Sequence, residues 1–151
     1  MQGTAMVEFA IVVWLLVILV LGFVELGRAF YQHNTLHEAV AVGPRYLARV
    51  PDIVIMDSGC SWDDPSNTAR DNATNLVIYG ELDDDGTPVL NGLTIDDISL
   101  SHYDVGSGTT MAIETCVIRV EASVGFNSLF GDLIPIPVTL NAAAEERYFG
   151  Q

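Results

Sequence analysis

An apolar stretch without any charged residue runs from Phe9 to Val24, close to the N-terminus of the chain. As an α-helix this stretch covers about 24 Å, slightly less than the ~30 Å hydrocarbon core of a bilayer. A full span therefore also needs residues 4–7, which places Glu8 inside the membrane. After Val24 the chain continues into Glu25 without the small-residue cleavage site that ends a secretory signal peptide. The stretch is therefore predicted to be a lasting membrane anchor.

Charge is distributed very unevenly along the 151 residues. The acidic and basic residues of 1–51 cancel, whereas 52–151 contains 17 acidic residues against three arginines and carries the whole formal charge of −14. A surface of this sign repels phosphate backbones, so we expect no nucleic-acid partner. The interpretation that we favour is a solvated acidic surface, and specific cation binding is the alternative.

Three regions follow from these patterns, in a chain too short for two large domains. Residues 1–27 contain the membrane helix, 28–51 form a helical extension, and 52–151 form an acidic exported α+β domain. From Glu25 to about Val42 the helical pattern continues, with Leu26, Phe30, His33 or Asn34, and His37 at i, i+4 spacing. This face is poorly apolar and is expected to pack only in part, against a partner or the protein's own domain.

Two prolines bear on where helices begin and end. Pro44 predicts a kink or a local break near the end of the extension. Asp64 followed by Pro65 predicts the start of a second, short helix, because aspartate is a good N-cap and proline is favoured at the first helical position. Tyr79 and Gly80 are predicted to end that helix.

Beyond Gly80 the pattern changes from helix to strand. Residues 81–92 are acidic and rich in turn formers. Strands are predicted at 98–105, at 111–124 after a turn at 106–108, and at 138–144, from alternation and β-branched residues. The predicted fold class is therefore α+β: a long N-terminal transmembrane helix, a small helix, and a three- to four-stranded antiparallel sheet.

Cys60 and Cys116 are the only cysteines, and both lie beyond the anchor. A single pair in a small exported domain is typical of a structural disulfide in an oxidising compartment, with two buried free thiols as the alternative. Neither cysteine belongs to a CxxC unit or stands next to a histidine, so redox or metal chemistry is not expected.

No metal site, cofactor site or catalytic constellation is predicted. His33 and His37 have the i, i+4 spacing of a chelating pair, but no third ligand accompanies them. Asp83, Asp85 and Thr87 have part of the spacing of a calcium loop, but the glycine and the distal glutamate are misplaced. The sequence has no Ser/His/Asp or Cys/His arrangement, so we expect that the protein is not an enzyme.

Two motifs in the first third of the chain resemble a known family. Residues 3–10 (Gly-Thr-Ala-Met-Val-Glu-Phe-Ala) look like the cleavage site of type IV prepilin-like proteins. Together with residues 22–28 (Gly-Phe-Val-Glu-Leu-Gly-Arg) and the stretch 36–49, they resemble the N-terminal signature of TadE-like proteins. The short helix ending in Tyr-Gly and the pattern of residues 138–144 are also similar to that family.

The resemblance implies a processing site and a role for one carboxylate. In prepilin-like proteins a peptidase that faces the cytoplasm cuts after the glycine, here Gly3, so that the mature chain begins at Thr4 and Glu8 is its fifth residue. Glu8 would then pair with the new amino terminus of a neighbouring subunit. Glu25, near Arg28 at the membrane exit, is expected to matter less because water can solvate it.

The sequence differs from the family pattern in the leader that precedes the glycine. The family normally has a basic leader before the glycine, whereas Met1 and Gln2 alone precede Gly3 here. Either the chain was started late or the leader is unusually short. Charge bias therefore does not set the orientation, which is implied by the resemblance and by the expected disulfide.

The function implied is that of a minor pilin, or pseudopilin, of a tight-adherence (Tad/Flp) type IV pilus with a pilin-like fold. The partners implied are other pilin subunits, the pilus assembly platform, prepilin peptidase and the inner membrane. The protein is expected in the bacterial inner membrane as a single-pass protein with its C-terminal domain outside the cytoplasm, and in the cell-surface pilus. The alternative is a membrane-anchored periplasmic or surface binding module unrelated to pili.

Overall fold

One long helix precedes a second helix and two antiparallel sheets. The computed structural model describes residues 2–55, 60–105, 115–129 and 138–148. The elements are α1 (Gln2–Leu47), β1 (Val54–Ile55), β2 (Ser61–Trp62), α2 (Thr68–Tyr79), β3 (Ile98–Val105), β4 (Thr115–Gly125) and β5 (Thr139–Arg147). A 3₁₀ turn at Ile95–Asp97 leads into β3. The predicted α+β class, with a long apolar N-terminal helix, a small helix and an antiparallel sheet, is confirmed.

Pro44 does not interrupt α1, so the predicted break is wrong. The helix continues to Leu47, and the Ala48 N–H donates to the Pro44 carbonyl at 2.9 Å. Proline lacks the N–H that would bond one turn back, but its φ is already helical. Pro44 lies in the last turn of the helix and is buried, so its ring contributes to the packing of the core.

The buried face of α1 differs from the one predicted. Leu36, Val40 and Leu47 are fully buried, at spacings of four and seven residues that place them on one side of the helix. This side packs against α2, β4 and β5, which supply the apolar partners. Of the residues predicted to form the packing face, Leu26, Phe30 and His37 are instead exposed.

Gly43 allows α1 to approach both α2 and the sheet. A Cβ atom at this position would lie 3.0 Å from Val77 Cγ2 and 3.3 Å from Val120 Cγ2. One turn further along α1, Tyr46 Oη accepts a hydrogen bond from Asn72 Nδ2 at 3.2 Å. Since Asn72 lies beside Tyr46 and Val77 beside Gly43, α2 runs antiparallel to α1.

Helix α2 begins later than predicted, at Thr68 rather than at Asp64–Pro65. The Asn67 N–H donates to the Asp64 carbonyl at 3.1 Å, so these residues form a turn, and Asn67 has a left-handed backbone with φ 58°. Asp64 still serves the helix from outside it, because its Oδ2 accepts the backbone N–H of Arg70 at 3.2 Å. The N-cap residue is Asn67, which makes no side-chain cap hydrogen bond, so the predicted N-cap at Asp64 is wrong even though its carboxylate bonds to the first turn.

The end of α2 lies where it was predicted, at Tyr79. Gly80 has a left-handed backbone with φ 75°, and its N–H donates to the Leu76 carbonyl at 3.0 Å. Glycine adopts this conformation at no steric cost, which explains why the helix ends there. The inner face of α2 includes the buried residues Ala73 and Val77.

The main sheet has the order β3-β4-β5, antiparallel throughout. In β4 the inward residues alternate with outward polar ones and pack under the two helices. Strand β3 has the predicted bounds, and β5 continues three residues beyond the predicted end at Ala144. The turn predicted at 106–108 and the predicted strand residues 111–114 lie outside the described residues. The inward residues of β4 are Cys116, Ile118, Val120, Ala122 and Val124.

A second, two-stranded sheet was not predicted. In it β1 pairs with β2, with Val54 opposite Trp62. Two residues per strand give too little alternation to be recognised in a sequence. This small sheet covers one end of the core, where Ile53 and Val54 are buried beside Leu47 and Tyr148.

Candidate functional site

Within the described part of the chain, the first six turns of α1 do not pack against the rest of the protein. Side chains from Met6 to Val24 are exposed, and no charged residue lies between Phe9 and Val24. An 18-residue window in this helix has a mean hydropathy of 2.9, and by length and composition the helix is a candidate membrane span. An uncovered apolar helix requires an apolar environment, which lipid or the helices of neighbouring subunits can supply.

Gly3 and Glu8 lie in the first two turns of this exposed segment. A Cβ at Gly3 would have no atom within 4 Å, so the position is open. Thr4 follows within the same helix. Glu8 is exposed between Val7 and Phe9, which are 62% and 70% exposed, and no described cation lies within 4 Å of its carboxylate. An ionised carboxylate on a helix in lipid is costly unless it is paired or reaches the membrane interface.

A shallow apolar groove lies next to Glu8 on the same helix. Its volume is about 440 Å³, and Ala10 is the smallest of the residues that line it. Small residues between large ones let a second helix approach closely within a membrane. The position of Ala10 is therefore compatible with helix–helix packing. It is lined by Met6, Val7, Ala10, Ile11 and Trp14.

At the predicted membrane exit, Glu25 binds a loop of the α+β domain. Its Oε1 accepts the Leu129 backbone N–H at 2.6 Å and a hydrogen bond from Ser128 Oγ, while Arg28 Nη1 donates to its Oε2 at 3.0 Å. The Glu25 side chain is only 18% exposed. The expectation that water solvates this carboxylate is therefore wrong, because protein donors replace much of the water.

Arg28 strengthens the same junction. Its Nη2 donates to the Asn127 carbonyl at 3.4 Å, and its guanidinium lies 5.8 Å from the centre of the Phe126 ring. Glu25 and Arg28 thus connect α1 to the segment that leaves β4. Sequence reasoning missed this role because about a hundred residues separate the partners, and no local pattern predicts such a contact.

The disulfide between Cys60 and Cys116 lies within the α+β domain, far along the fold from Glu8. The two Cα atoms are 5.6 Å apart, and the bridge joins the chain just before β2 to the central strand β4. Cys116 is 1% exposed, in the core cluster that also contains Leu47. The bridge therefore connects the small sheet to the main sheet and takes no part in the anchor.

The other residues considered from the sequence form no metal centre in the described parts of the chain. The rings of His33 and His37 meet edge to face with centroids 4.6 Å apart, and no group of three or more potential ligands includes them. Asp83 and Asp85 are exposed in the loop after α2.

A charged network lies on the outer face of the main sheet. The Tyr103 hydroxyl donates to Glu145 Oε2 at 2.9 Å, and Arg119 Nη1 donates to Glu145 Oε1 at 3.2 Å. Arg119 also pairs with Glu121. The hydrogen bond to Glu145 raises the pKa of Tyr103, because the carboxylate stabilises the protonated phenol and repels its anion. Arg119 is therefore neutralised within the sheet by two carboxylates.

Comparison with known proteins identifies the N-terminal segment. The family model described as TadE-like protein matches residues 3–45. These residues include Gly3, Glu8, Glu25 and Arg28, so the match covers most of α1 and excludes α2 and both sheets. No curated protein and no solved structure matches the chain. The resemblance to TadE-like proteins is confirmed over α1, and this family suggests a protein associated with the Tad pilus.

Proposed function

We propose that this TadE-like protein is a minor pilin, or pseudopilin, of a tight-adherence type IV pilus, with no catalytic role of its own. The observation that carries the proposal is the exposed apolar helix with Glu8 as the single charged residue before Glu25. Glu8 is the fifth residue after Gly3, which is the register of a prepilin-type site. A simple anchor has no use for a carboxylate at this depth.

The helix would serve two environments in turn. In the inner membrane its exposed side chains are solvated by lipid, with the α+β domain outside the cytoplasm. During assembly, neighbouring pilin helices replace the lipid, and the groove beside Ala10 accepts one of them. Glu8 then pairs with the amino group at Thr4 of the adjacent subunit, where low dielectric strengthens the attraction and each charge offsets the burial of the other.

The partners in this function are other pilin subunits, the pilus assembly platform and prepilin peptidase. The peptidase acts at Gly3, which is open to a neighbouring protein because nothing surrounds it. The protein is located in the bacterial inner membrane and in the surface pilus. The acidic α+β domain extends from the helical bundle towards solvent.

Mass spectrometry of the mature N-terminus tests this function. Protein recovered from sheared filaments is expected to begin at Thr4, and cells lacking prepilin peptidase are expected to hold only the uncut precursor. Gly3→Ala is expected to block cleavage. Gly22→Ala is the matched control, because it makes the same change in the same helix at a position with equally open space, and it is expected to be cut normally.

Two results would overturn the proposal. One is assembled protein that still carries Met1 or Gln2. The other is protein that is indifferent to the peptidase and absent from sheared filaments, which would favour an anchored binding module unrelated to pili.

A further inference from the structure

Two arginines near the end of α1 form a cationic site. Arg45 lies in the last turn of α1 and Arg49 in the turn that follows Leu47, and both are exposed. In the described residues neither makes an ion pair, whereas Arg28, Arg70 and Arg119 all contact carboxylates within 4 Å. Within the described residues, a protein with a net charge of −14 thus presents two guanidinium groups without an ion pair that line one groove.

A groove accompanies these arginines, and we call it the Arg45–Arg49 groove. Its volume is about 490 Å³, and besides the two arginines it is lined by Val42, Tyr46, Val50 and Leu76. Val42 is 40% exposed. Guanidinium groups bind carboxylates and phosphates through paired hydrogen bonds, and the apolar walls limit the water that competes with them. The groove therefore fits a short acidic segment.

Membrane phosphates do not fit this site. Arg45 lies 21 residues beyond Val24 on one continuous helix, which separates it from the end of the apolar stretch by about 30 Å. Nucleic acid is a long polyanion, and the net charge of −14 repels it beyond the groove, whereas a short acidic segment need contact only the groove itself. An acidic protein segment is the remaining class of ligand that this charge pattern recognises.

The protein itself has such a segment, in the loop after α2. Glu81, Asp83, Asp84 and Asp85 are exposed, and none of them pairs with a cation in the described parts of the chain. The loop has a defined position, because Asn75 Nδ2 donates to the Leu82 carbonyl at 2.9 Å and Gly86 lies against Tyr79. We call residues 81–85 the acidic loop.

We propose that the Arg45–Arg49 groove binds the acidic loop of a second copy of this chain. The two sites are complementary in charge, and within one subunit they do not bond to each other. Because the groove of one copy contacts the loop of the next, each copy keeps one free site of each kind. A contact of this type extends as an open chain unless its rotation closes a ring.

The acidic loop and the groove lie at similar heights along α1. Asn75, which holds the loop through its bond to the Leu82 carbonyl, lies between Asn72, which bonds to Tyr46, and Val77, which lies beside Gly43. The loop is therefore close in height to Arg45. This geometry rests on the proposed function, in which parallel copies stand side by side, so that the loop of one copy faces the groove of the next.

Complementation between two charge-reversed variants tests the contact. The full chain is purified in detergent and its association is measured by sedimentation velocity at low and high salt. Wild type is expected to self-associate, less so at high salt. The double variant Arg45→Glu/Arg49→Glu and the triple variant Asp83→Arg/Asp84→Arg/Asp85→Arg are each expected to self-associate about tenfold more weakly, because several charge pairs act together.

Mixing the loop and groove variants separates a real contact from a general charge effect. In the mixture, the unchanged acidic loop of the Arg45→Glu/Arg49→Glu variant can bind the unchanged groove of the triple variant. The basic loop of the triple variant can also bind the acidic groove of the double variant. The mixture is expected to associate more strongly than either variant alone. Arg147→Glu is the matched control, since Arg147 is exposed and also lacks an ion pair in the described residues, and it is expected to associate like wild type.

Three outcomes would overturn this inference: monomeric wild type, variants that associate as wild type does, or a mixture that fails to associate while circular dichroism shows both variants folded. None of these would affect the proposed function, because cleavage after Gly3 does not involve the groove. An uncut N-terminus would remove the pilus assignment and leave the self-association measurement valid.

Discussion

At the scale of single residues, Glu8 differs from every other charged side chain of α1. Glu25 and Arg28 bond to each other and to a loop, and Glu38 and Arg45 are exposed on the part of α1 that packs against the domain core. Glu8 is surrounded along the helix by exposed apolar residues. Its charge is therefore costly in lipid, and under the proposed function the amino group of a neighbouring subunit offsets that cost.

The prediction at this scale concerns Glu8→Gln and Glu8→Leu. Both changes remove the charge, so membrane insertion is expected to be retained or improved by a few kcal/mol on insertion scales. Association with other pilins is expected to be lost or strongly weakened, because the amino group of the neighbour no longer meets a carboxylate. Co-purification with filament subunits and the piliation of cells measure this effect, and cleavage after Gly3 is followed by mass spectrometry.

Glu38→Gln is the matched control for Glu8. It removes the same charge from the same helix, but at an exposed position beyond the apolar stretch. It is expected to leave filament association unchanged. Normal piliation with Glu8→Leu would mean that the carboxylate is incidental, and the assembly mechanism proposed for it would be abandoned.

At the scale of elements, the contact of α1 with α2 and the sheet depends on one missing side chain. Gly43 lies where the two helices and β4 converge, and Val77 and Val120 close over it. Gly27, in the same helix, has no atom within 4 Å of a Cβ. Two glycines with equal backbone conformation therefore differ only in what surrounds them.

Gly43→Val is expected to destabilise the domain by about 1–3 kcal/mol, since the added atoms overlap Val77 and Val120 in a packed interior. Gly27→Val makes the same change without a clash. The free energy of unfolding, from urea titration of the detergent-solubilised protein, measures the difference. Equal free energies of unfolding for the two variants would show that the domain accommodates a larger side chain at Gly43 without loss of stability.

The elements that sequence predicted best are those whose signals are local. Strand β3 has the predicted bounds because its residues alternate regularly between core and solvent, and α2 ends at the predicted glycine because Gly80 adopts a left-handed backbone. The start of α2 was placed too early, because the Asp64–Pro65 signal also fits the turn that precedes the helix. The break predicted at Pro44 does not occur, and the sequence alone does not show that its ring is buried in the core.

For the candidate site, sequence predicted what lies along one helix and missed what joins distant segments. The apolar stretch, Gly3 and Glu8 are neighbours in sequence, and so could be found as a pattern. The bonds from Glu25 to Ser128 and Leu129 span about a hundred residues, and they exist only because β4 returns the chain to α1. Long-range polar contacts of this kind have no periodicity to reveal them.

At the scale of the whole molecule, Glu25 fixes how the α+β domain stands on its anchor. The main core joins α1 to the sheet from Leu36 onwards, and the Glu25–Leu129 contact adds a second attachment more than two turns nearer the membrane. Because the domain is attached at two points along α1, its orientation relative to the helix axis is fixed. Neighbouring grooves and loops can then meet at a fixed height, whereas a domain held at one end alone would tilt.

Glu25→Ala is expected to release the lower attachment without unfolding the core. Hydrogen bonds to a charged group contribute about 1.5–3 kcal/mol, so the Leu129 amide is expected to exchange its hydrogen roughly ten to a hundred times faster. Hydrogen–deuterium exchange of the peptide covering 126–129 measures this, with residues 117–122 of β4 as an internal reference that stays protected. Ser128→Ala removes one donor and keeps the Leu129 N–H bond, so an intermediate acceleration is expected. Unchanged exchange at Leu129 in Glu25→Ala would show that the loop is held by the sheet alone, and the second attachment would have to be given up.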